Sequence, residues 1–273
     1  MNALFKADLY KLRNSRSFRV CIIVSFVLGI VMAVLYYYAW KSLAENIEST
    51  KSLILSMGDY GDTVSEALDL IPKNNLWSYI NISLSDQNVL YLAAIVISIF
   101  VGSEYSMGTL RNSVSRGFSR TQIYFSKLLT AMIAALAVII LYVLGGAIPG
   151  CIMFGFSASV SAGEIIVSVL GYFVLFIAAT SFYAMICTIT KKTGYAIAFS
   201  LIVPLLITSL DRVIRIGYKD FGKISRFWLF ETITDTQQLI QSSETYIIFI
   251  VAAVYIALCT VMGIVIFRRQ EIK

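Results

Sequence analysis

The chain has 273 residues and a formal net charge of +6; 58% of the residues are hydrophobic, only 14% are charged, and the mean hydropathy is +0.80. Soluble domains are roughly 45–50% apolar with glycine counted and about 25% charged. Disordered, fibrous and simple soluble classes are therefore excluded, and the composition indicates an integral membrane protein. Histidine is absent and the four cysteines stand singly in apolar segments, so no metal site or disulfide framework is expected.

Residues 1–17 are predicted to form a cytoplasmic amphipathic helix. Its leucines and its phenylalanine share one helical face, whereas its cations lie elsewhere, which is typical of a helix lying flat in the membrane interface. The residues assigned to this interfacial elbow are Leu4, Phe5, Lys6, Leu9, Lys11, Leu12 and Arg13. The alternative is a basic topology signal without fixed structure.

Six stretches are long and apolar enough to cross a bilayer, which takes about 20 residues. They are residues 18–40, 87–103, 128–150, 165–190, 194–210 and 245–267. The predicted fold is therefore an all-α membrane protein with one transmembrane domain over residues 1–273. Gly145 and Gly146 should allow close helix approach in the third span, and Pro204 is expected to kink the fifth.

The charges between these spans are divided unevenly. The N-terminus, the second-to-third loop, the fourth-to-fifth turn and the C-terminus together hold 14 basic and 3 acidic residues, a net +11. The other side holds 8 basic and 13 acidic residues, a net −5, including the acidic loop 41–86, which is expected to be extracellular. The positive-inside rule places both termini in the cytoplasm. The expected location is a bacterial-type plasma membrane. This distribution explains the basic balance without nucleic acid.

The loop after the second span, residues 104–127, is the most informative segment. Glu104 stands where the span leaves the hydrocarbon, Gly108 and Gly117 permit backbone breaks, and Ser119 is suited to cap a short helix beginning at Arg120. The apolar side of that helix, expected to fit a groove in another protein, consists of Ile123, Tyr124 and Leu128. The alternative is an ordinary cytoplasmic loop whose arginines only hold the topology.

The loop reads E-Y-x-x-G-T-L-R, then S-R-G-x-S-R, then a lysine opening the next span, and it resembles permease subunits of the type-2 ATP-binding-cassette (ABC) exporter family. The basic segment KADLYKLRNSRSF, the six spans and a charged segment before the last span extend the resemblance over essentially the whole chain. It implies that the loop is a coupling helix seated in a separate ATPase subunit. The positions carried over for that interface are Glu104, Gly108, Thr109, Arg111, Arg116, Ser119, Arg120 and Lys127.

The resemblance also implies that residues 211–244 form short re-entrant helices at the outer end, with an ordinary extracellular loop as the alternative. The expected function is the membrane subunit of an ABC exporter, working as a homo- or heterodimer of permeases. ATP and Mg are expected on the partner ATPase, since this chain has no phosphate-binding loop and no catalytic, metal or cofactor site.

A hydrophobic or amphipathic cargo is expected, with a toxin or antimicrobial peptide favoured, because no predicted span carries an interior charge. The same feature argues against an ion-coupled carrier. The rival interpretation is an ATP-independent membrane carrier, channel or scaffold protein.

Overall fold

The computed structural model describes residues 2–56, 75–155, 161–218 and 225–270, without the side chains of residues 2, 47–56 and 216, and these residues form helices joined by short connections. The helices, in chain order, are α1 (Asn2–Asn14), α2 (Arg16–Ser56), α3 (Leu76–Ser85), α4 (Gln87–Ser106), α5 (Leu110–Ser115), α6 (Arg120–Phe154), α7 (Ala162–Thr190), α8 (Thr193–Gly217), α9 (Leu229–Thr234), α10 (Thr236–Gln241) and α11 (Tyr246–Arg269).

Within the described residues, six helices are long and apolar enough to cross a membrane: α2, α4, α6, α7, α8 and α11. They coincide with the six predicted spans, so the prediction of an all-helical chain with six such spans is confirmed. In α2 the apolar span is Arg16–Asn46, and in α8 it is Thr193–Arg215.

Helices α2 and α8 extend furthest past the C-terminal ends of their predicted spans. Helix α2 continues to Ser56, so the first part of the predicted 41–86 loop is helical, and the stretch 57–74, with most of the acidic residues of that loop, lies outside the described residues. Helix α8 continues to Gly217 without a break at Pro204, and it carries Asp211 and Arg215 on its last turns. A prediction from hydropathy ends a span at the first charged residue. The helix itself can continue when that residue is paired with an opposite charge.

The centre of the fold is α4, whose side chains are buried along most of its length between α6, α7 and α8. By contrast α2 and α8 expose most of their apolar side chains, as shown by Ile23, 63% exposed, and Leu206, 51% exposed. Helices α2 and α8 therefore supply the apolar surface for lipid or another chain.

The close packing of α2 on α6 depends on glycine. A Cβ on Gly145 would lie 2.3 Å from the carbonyl oxygen of Phe26, and one on Gly29 would lie 2.1 Å from the carbonyl oxygen of Tyr142. The two backbones can approach only because neither residue has a side chain. The predicted packing role of Gly145 is confirmed.

The short helices α9 and α10 pack against α7, α8 and α11. Leu229, Ile233 and Leu239 are buried in the main core. This part of the predicted 211–244 segment is therefore helical and buried.

Candidate interaction surface

A group of charged and polar side chains, buried except for the half-exposed Lys11, joins α1, α4 and α6, and we call it the elbow cluster: Asp8, Lys11, Glu104, Ser126 and Lys127. Lys11 Nζ lies 2.8 Å from Glu104 Oε1, and Lys127 Nζ lies 2.6 Å from Glu104 Oε2. Lys127 also pairs with Asp8, which accepts a hydrogen bond of 2.5 Å from Ser126 Oγ. Asp8, Glu104 and Lys127 are each less than 8% exposed. Two acids and two bases balance, which is the condition under which buried charges are tolerated.

Helix α1 turns a narrow face toward the protein. Leu4, Asp8 and Leu12 are buried at i, i+4 spacing, so the carboxylate sits in the middle of the apolar stripe. Leu9 is 37% exposed and Tyr10 is 72% exposed. The predicted helix is present, but its assignment of apolar side chains needs a correction: Leu4 and Leu12 pack on the protein, and Leu9 does not share their face.

Asp8 was missed by sequence reasoning, which counted it only as a charge on the cytoplasmic side. The available signal was its position four residues after Leu4 and four before Leu12. An acid in the apolar stripe of an amphipathic helix needs a buried cation opposite it. The sequence does not show which lysine supplies it, because Lys127 is more than one hundred residues away.

The chain leaves α4 through a turn that needs glycine. Met107 is 74% exposed, and Gly108 follows with φ +66°. After the six-residue helix α5, Gly117 has φ +82°. Because L side chains rarely adopt this left-handed conformation, the two glycines set the path of the loop.

Ser119 caps the next helix, as predicted. Its Oγ accepts a hydrogen bond of 3.3 Å from the Gln122 N–H, and its own N–H donates to Gln122 Oε1 at 3.2 Å. This reciprocal pair is a capping box. The capped helix is the 35-residue span α6, however, and not a short docking helix.

The apolar residues expected to enter a partner's groove lie inside this chain. Ile123, Tyr124 and Leu128 are 0%, 4% and 4% exposed, and they pack in one cluster with Leu110 and Phe267. The docking prediction for these three side chains is therefore wrong. Helices α1, α5 and α11 already cover this face of α6.

Arg120 binds the end of the last helix. Its guanidinium donates a hydrogen bond of 2.8 Å to the carbonyl oxygen of Arg268 and another to that of Gln270. The Gln270 side-chain amide donates to the carbonyl oxygen of Thr188 at 2.7 Å. A cation at the C-terminal carbonyls of a helix stabilises them electrostatically. Arg120 thus joins the loop to α11 and, through Gln270, to α7.

Exposed cations gather at this end of the molecule. Arg111 and Arg116 project from the loop, and the 191–192 turn is brought beside it by the hydrogen bond of 3.0 Å between Ser106 Oγ and Thr193 Oγ1. We call this surface the basic face; its other exposed members are Lys6, Arg13, Arg16, Lys191, Lys192, Arg268 and Arg269. In the described part of α1 and the loop, the acids Asp8 and Glu104 are buried, so they do not offset it at the surface.

The eight predicted interface positions therefore differ in exposure. Gly108, Arg111, Arg116 and Ser119 are exposed, Thr109 and Arg120 are half-buried, and Glu104 and Lys127 are buried. The structure brings all eight to one end, but only the first group presents its surface to another molecule.

A second buried charge group, at the far end of α8, was not expected. Asp211 is fully buried, with its Oδ2 at 2.5 Å from Arg215 Nε, and Arg215 Nη2 lies 3.4 Å from Glu231 Oε1. Burial, together with the neighbouring carboxylate of Asp211, raises the pKa of Glu231 to about 7, and Arg215 partly offsets this rise. The predicted fifth span ends at Leu210 and carries no charge, but α8 continues past it, so Asp211 and Arg215 lie on the last turns of the same helix. The available signal was the i, i+4 spacing of Asp211 and Arg215.

Together, the six apolar helices and their helical connections define a multi-pass α-helical membrane protein. A family model described as a protein of unknown function, DUF2705, matches residues 62–273, more than three quarters of the chain. The chain belongs to this family. No curated protein matches its sequence.

Proposed function

We propose that this chain is the membrane permease subunit of an ABC exporter whose ATPase is a separate protein. The observation that carries the proposal is the attachment of the exposed loop 107–119 to the rest of the fold. The elbow cluster joins the start of this loop to α1 and α6, and Arg120 joins its end to α11. A force applied to this loop is therefore delivered to several helices at once.

In this proposal the predicted interface residues have two roles. Arg111 and Arg116, which are exposed, contact the ATPase, and an acidic groove on that partner would complement them. Glu104 and Lys127 are positioning residues, because they are buried and hold the loop against α1. ATP and Mg bind to the partner, and this chain transmits the motion.

The orientation follows from charge. Under the positive-inside rule, the basic face and both termini lie in the cytoplasm. The membrane is then a bacterial-type plasma membrane, and α1 is an interfacial elbow on its cytoplasmic side. The short helices α9 and α10 then lie near the outer end as re-entrant elements. The outward apolar surfaces of α2 and α8 serve the dimer contact and the lipid boundary. A hydrophobic or amphipathic cargo, with a peptide favoured, suits the apolar spans.

The test is purification of the tagged chain from native membranes. We expect an ATPase to co-elute with the unmodified chain, and we expect the double substitution Arg111→Glu, Arg116→Glu to remove it. Arg212→Glu is the matched control, since Arg212 is an exposed cation at the opposite end of the molecule. If no ATPase co-elutes with the unmodified chain at equal membrane levels, the proposal fails.

One observation favours a second candidate, a proton-coupled carrier that works without ATP. Buried ionisable groups in membrane helices are typical of ion-coupled transport, and α8 carries Asp211 and Arg215, which are joined by Glu231 of α9. Proteoliposomes containing this chain alone would then accumulate an amphipathic dye under a pH gradient, and Glu231→Gln would abolish the accumulation. Transport that requires the ATPase would exclude the carrier.

A further inference from the structure

A cavity of about 450 Å³ lies between α1, the start of α2 and the second half of α4. Its walls are apolar at the deep end, where Phe18, Ile99 and Phe100 line it. Its other end is polar and is lined by the half-exposed Lys11 and by Ser103 among others, and we call this end the mouth. The cavity therefore changes from apolar to polar along α4, as a lipid does along its length.

The cavity extends along α4 and lies beside the outward face of α2. Val96, at the deep end, precedes Ser103 by seven residues on α4, a distance of about 10 Å along the helix axis. On the outer side, α2 exposes an apolar surface that includes Val20 and Ile23, so the cavity adjoins the face that the bilayer contacts.

The mouth of the cavity contains Lys11, whose ammonium group can donate further hydrogen bonds. The Lys11 side chain is 54% exposed, and among the residues that the structure describes its ammonium group has one short contact, of 2.8 Å, with Glu104. An ammonium has three donors, so a second anion can bind Lys11 without breaking this pair. Glu104 is also paired with Lys127, so its charge is not balanced by Lys11 alone. The Lys11 ammonium group can therefore interact with a second anion as well.

We propose that this cavity binds one anionic phospholipid from the leaflet on the α1 side. One acyl chain packs along Phe18, Ile99 and Phe100, and the phosphate lies at Lys11. The bound lipid fills the gap beneath α1 and holds Lys11 beside Glu104, so it stabilises the docking of the elbow. The proposal is independent of the proposed function, because it needs only the membrane and not an ATPase.

The test uses the full chain in mild detergent and native mass spectrometry, with added phosphatidylglycerol or phosphatidylcholine of identical acyl chains. We expect one phosphatidylglycerol to be retained per chain, about fivefold more strongly than phosphatidylcholine, which is the contribution of one lysine near an anionic lipid. Lys11→Gln should remove this preference, whereas Lys6→Gln, on the exposed side of α1, should leave it unchanged. Ile99→Trp should abolish retention by filling the cavity, whereas Ile23→Trp, on the outer face of α2, should not.

A second measurement does not depend on a bulky substitution. Cys21 lines the cavity, so in a chain with the other three cysteines replaced by alanine, phosphatidylglycerol should slow its alkylation by a small maleimide. A chain that keeps only Cys151 is the control. The proposal is overturned if the unmodified chain retains the two lipids equally. It is also overturned if phosphatidylglycerol does not change the rate of Cys21 alkylation. If Ile99→Trp dissociates a dimer and leaves lipid retention unchanged, the cavity binds a second copy of the chain, and the lipid proposal is overturned.

Discussion

At the scale of single residues, the informative features are charges that the fold has buried and paired. Lys127 is the centre of one such group, because it contacts both Asp8 and Glu104 while it is only 7% exposed. Desolvation of these groups costs free energy that only their mutual contacts offset. A substitution that removes one member therefore destabilises the protein mainly because the remaining charge stays buried without a partner.

Lys127→Met is expected to destabilise the protein by about 3–5 kcal/mol, since it leaves Asp8 buried without a cation and leaves Glu104 with only the half-exposed Lys11. Lys11→Met should cost about 1 kcal/mol or less, because an ion pair with one exposed partner contributes little. Thermal unfolding in detergent, followed by circular dichroism, compares the two variants with the unmodified chain. Equal midpoints for Lys127→Met and Lys11→Met would show that the cluster is not a stabilising unit.

Glu231 predicts a pH dependence at the other end of the molecule. Its pKa is about 7 in the folded protein and about 4.5 when unperturbed, so the folded state binds more protons between these values. The free energy of unfolding should then fall as the pH rises from about 4.5 to about 7, and this contribution should stay level above that range. Thermal midpoints measured from pH 4.5 to 8 check the slope.

The variant Glu231→Gln should flatten this slope, because it removes the proton that the fold retains. Glu164→Gln is the control, since that carboxylate is exposed at the start of α7. An identical slope in the unmodified chain and in Glu231→Gln would assign the pH dependence to other groups.

At the scale of elements, hydropathy was sufficient to predict the six apolar helices, because a span needs only length and apolar side chains. It was insufficient at the ends of the helices. Helix α8 runs past Leu210 because Asp211 finds Arg215 one turn later and Glu231 lies near in space, and the second partner is invisible to a local pattern.

The candidate interface shows the same limit. The capping role of Ser119 was predictable because the capping box is local. The burial of Ile123 and Tyr124 was not, since the residues that cover them come from α1, α5 and α11. Exposed and buried apolar faces of a helix look alike in a sequence until the neighbouring helices are known.

The contact between α2 and α6 supplies a prediction at this scale. Gly145→Ala places a methyl group 2.3 Å from the backbone oxygen of Phe26, so the helices must move apart, at a cost of about 1–3 kcal/mol. Gly194→Ala is the matched control, since nothing lies within 4 Å of its Cβ position. Unfolding midpoints should fall for the first variant and stay level or rise slightly for the second. A Gly145→Ala chain as stable as the control would mean that the two helices are not in register as described.

At the scale of the whole molecule, the fold separates two ends of different electrostatic character. The basic face gathers exposed cations from α1, the loop after α4, the 191–192 turn and the end of α11, although these segments are distant in the sequence. The opposite end buries acids around Arg215 and carries α9 and α10. Both the proposed ATPase contact and the proposed direction of export depend on which end faces the cytoplasm.

Orientation is therefore the prediction with the widest consequence. A single cysteine introduced as Arg111→Cys in a chain lacking its four native cysteines should resist a membrane-impermeant maleimide added to intact cells, because the positive-inside rule places it in the cytoplasm. Arg212→Cys, exposed at the other end, should react under the same conditions. Both should react after the cells are opened, which controls for accessibility. The reverse labelling pattern would turn the basic face outward, away from any cytoplasmic ATPase, and would remove the structural basis of the proposed coupling while leaving the lipid cavity untouched.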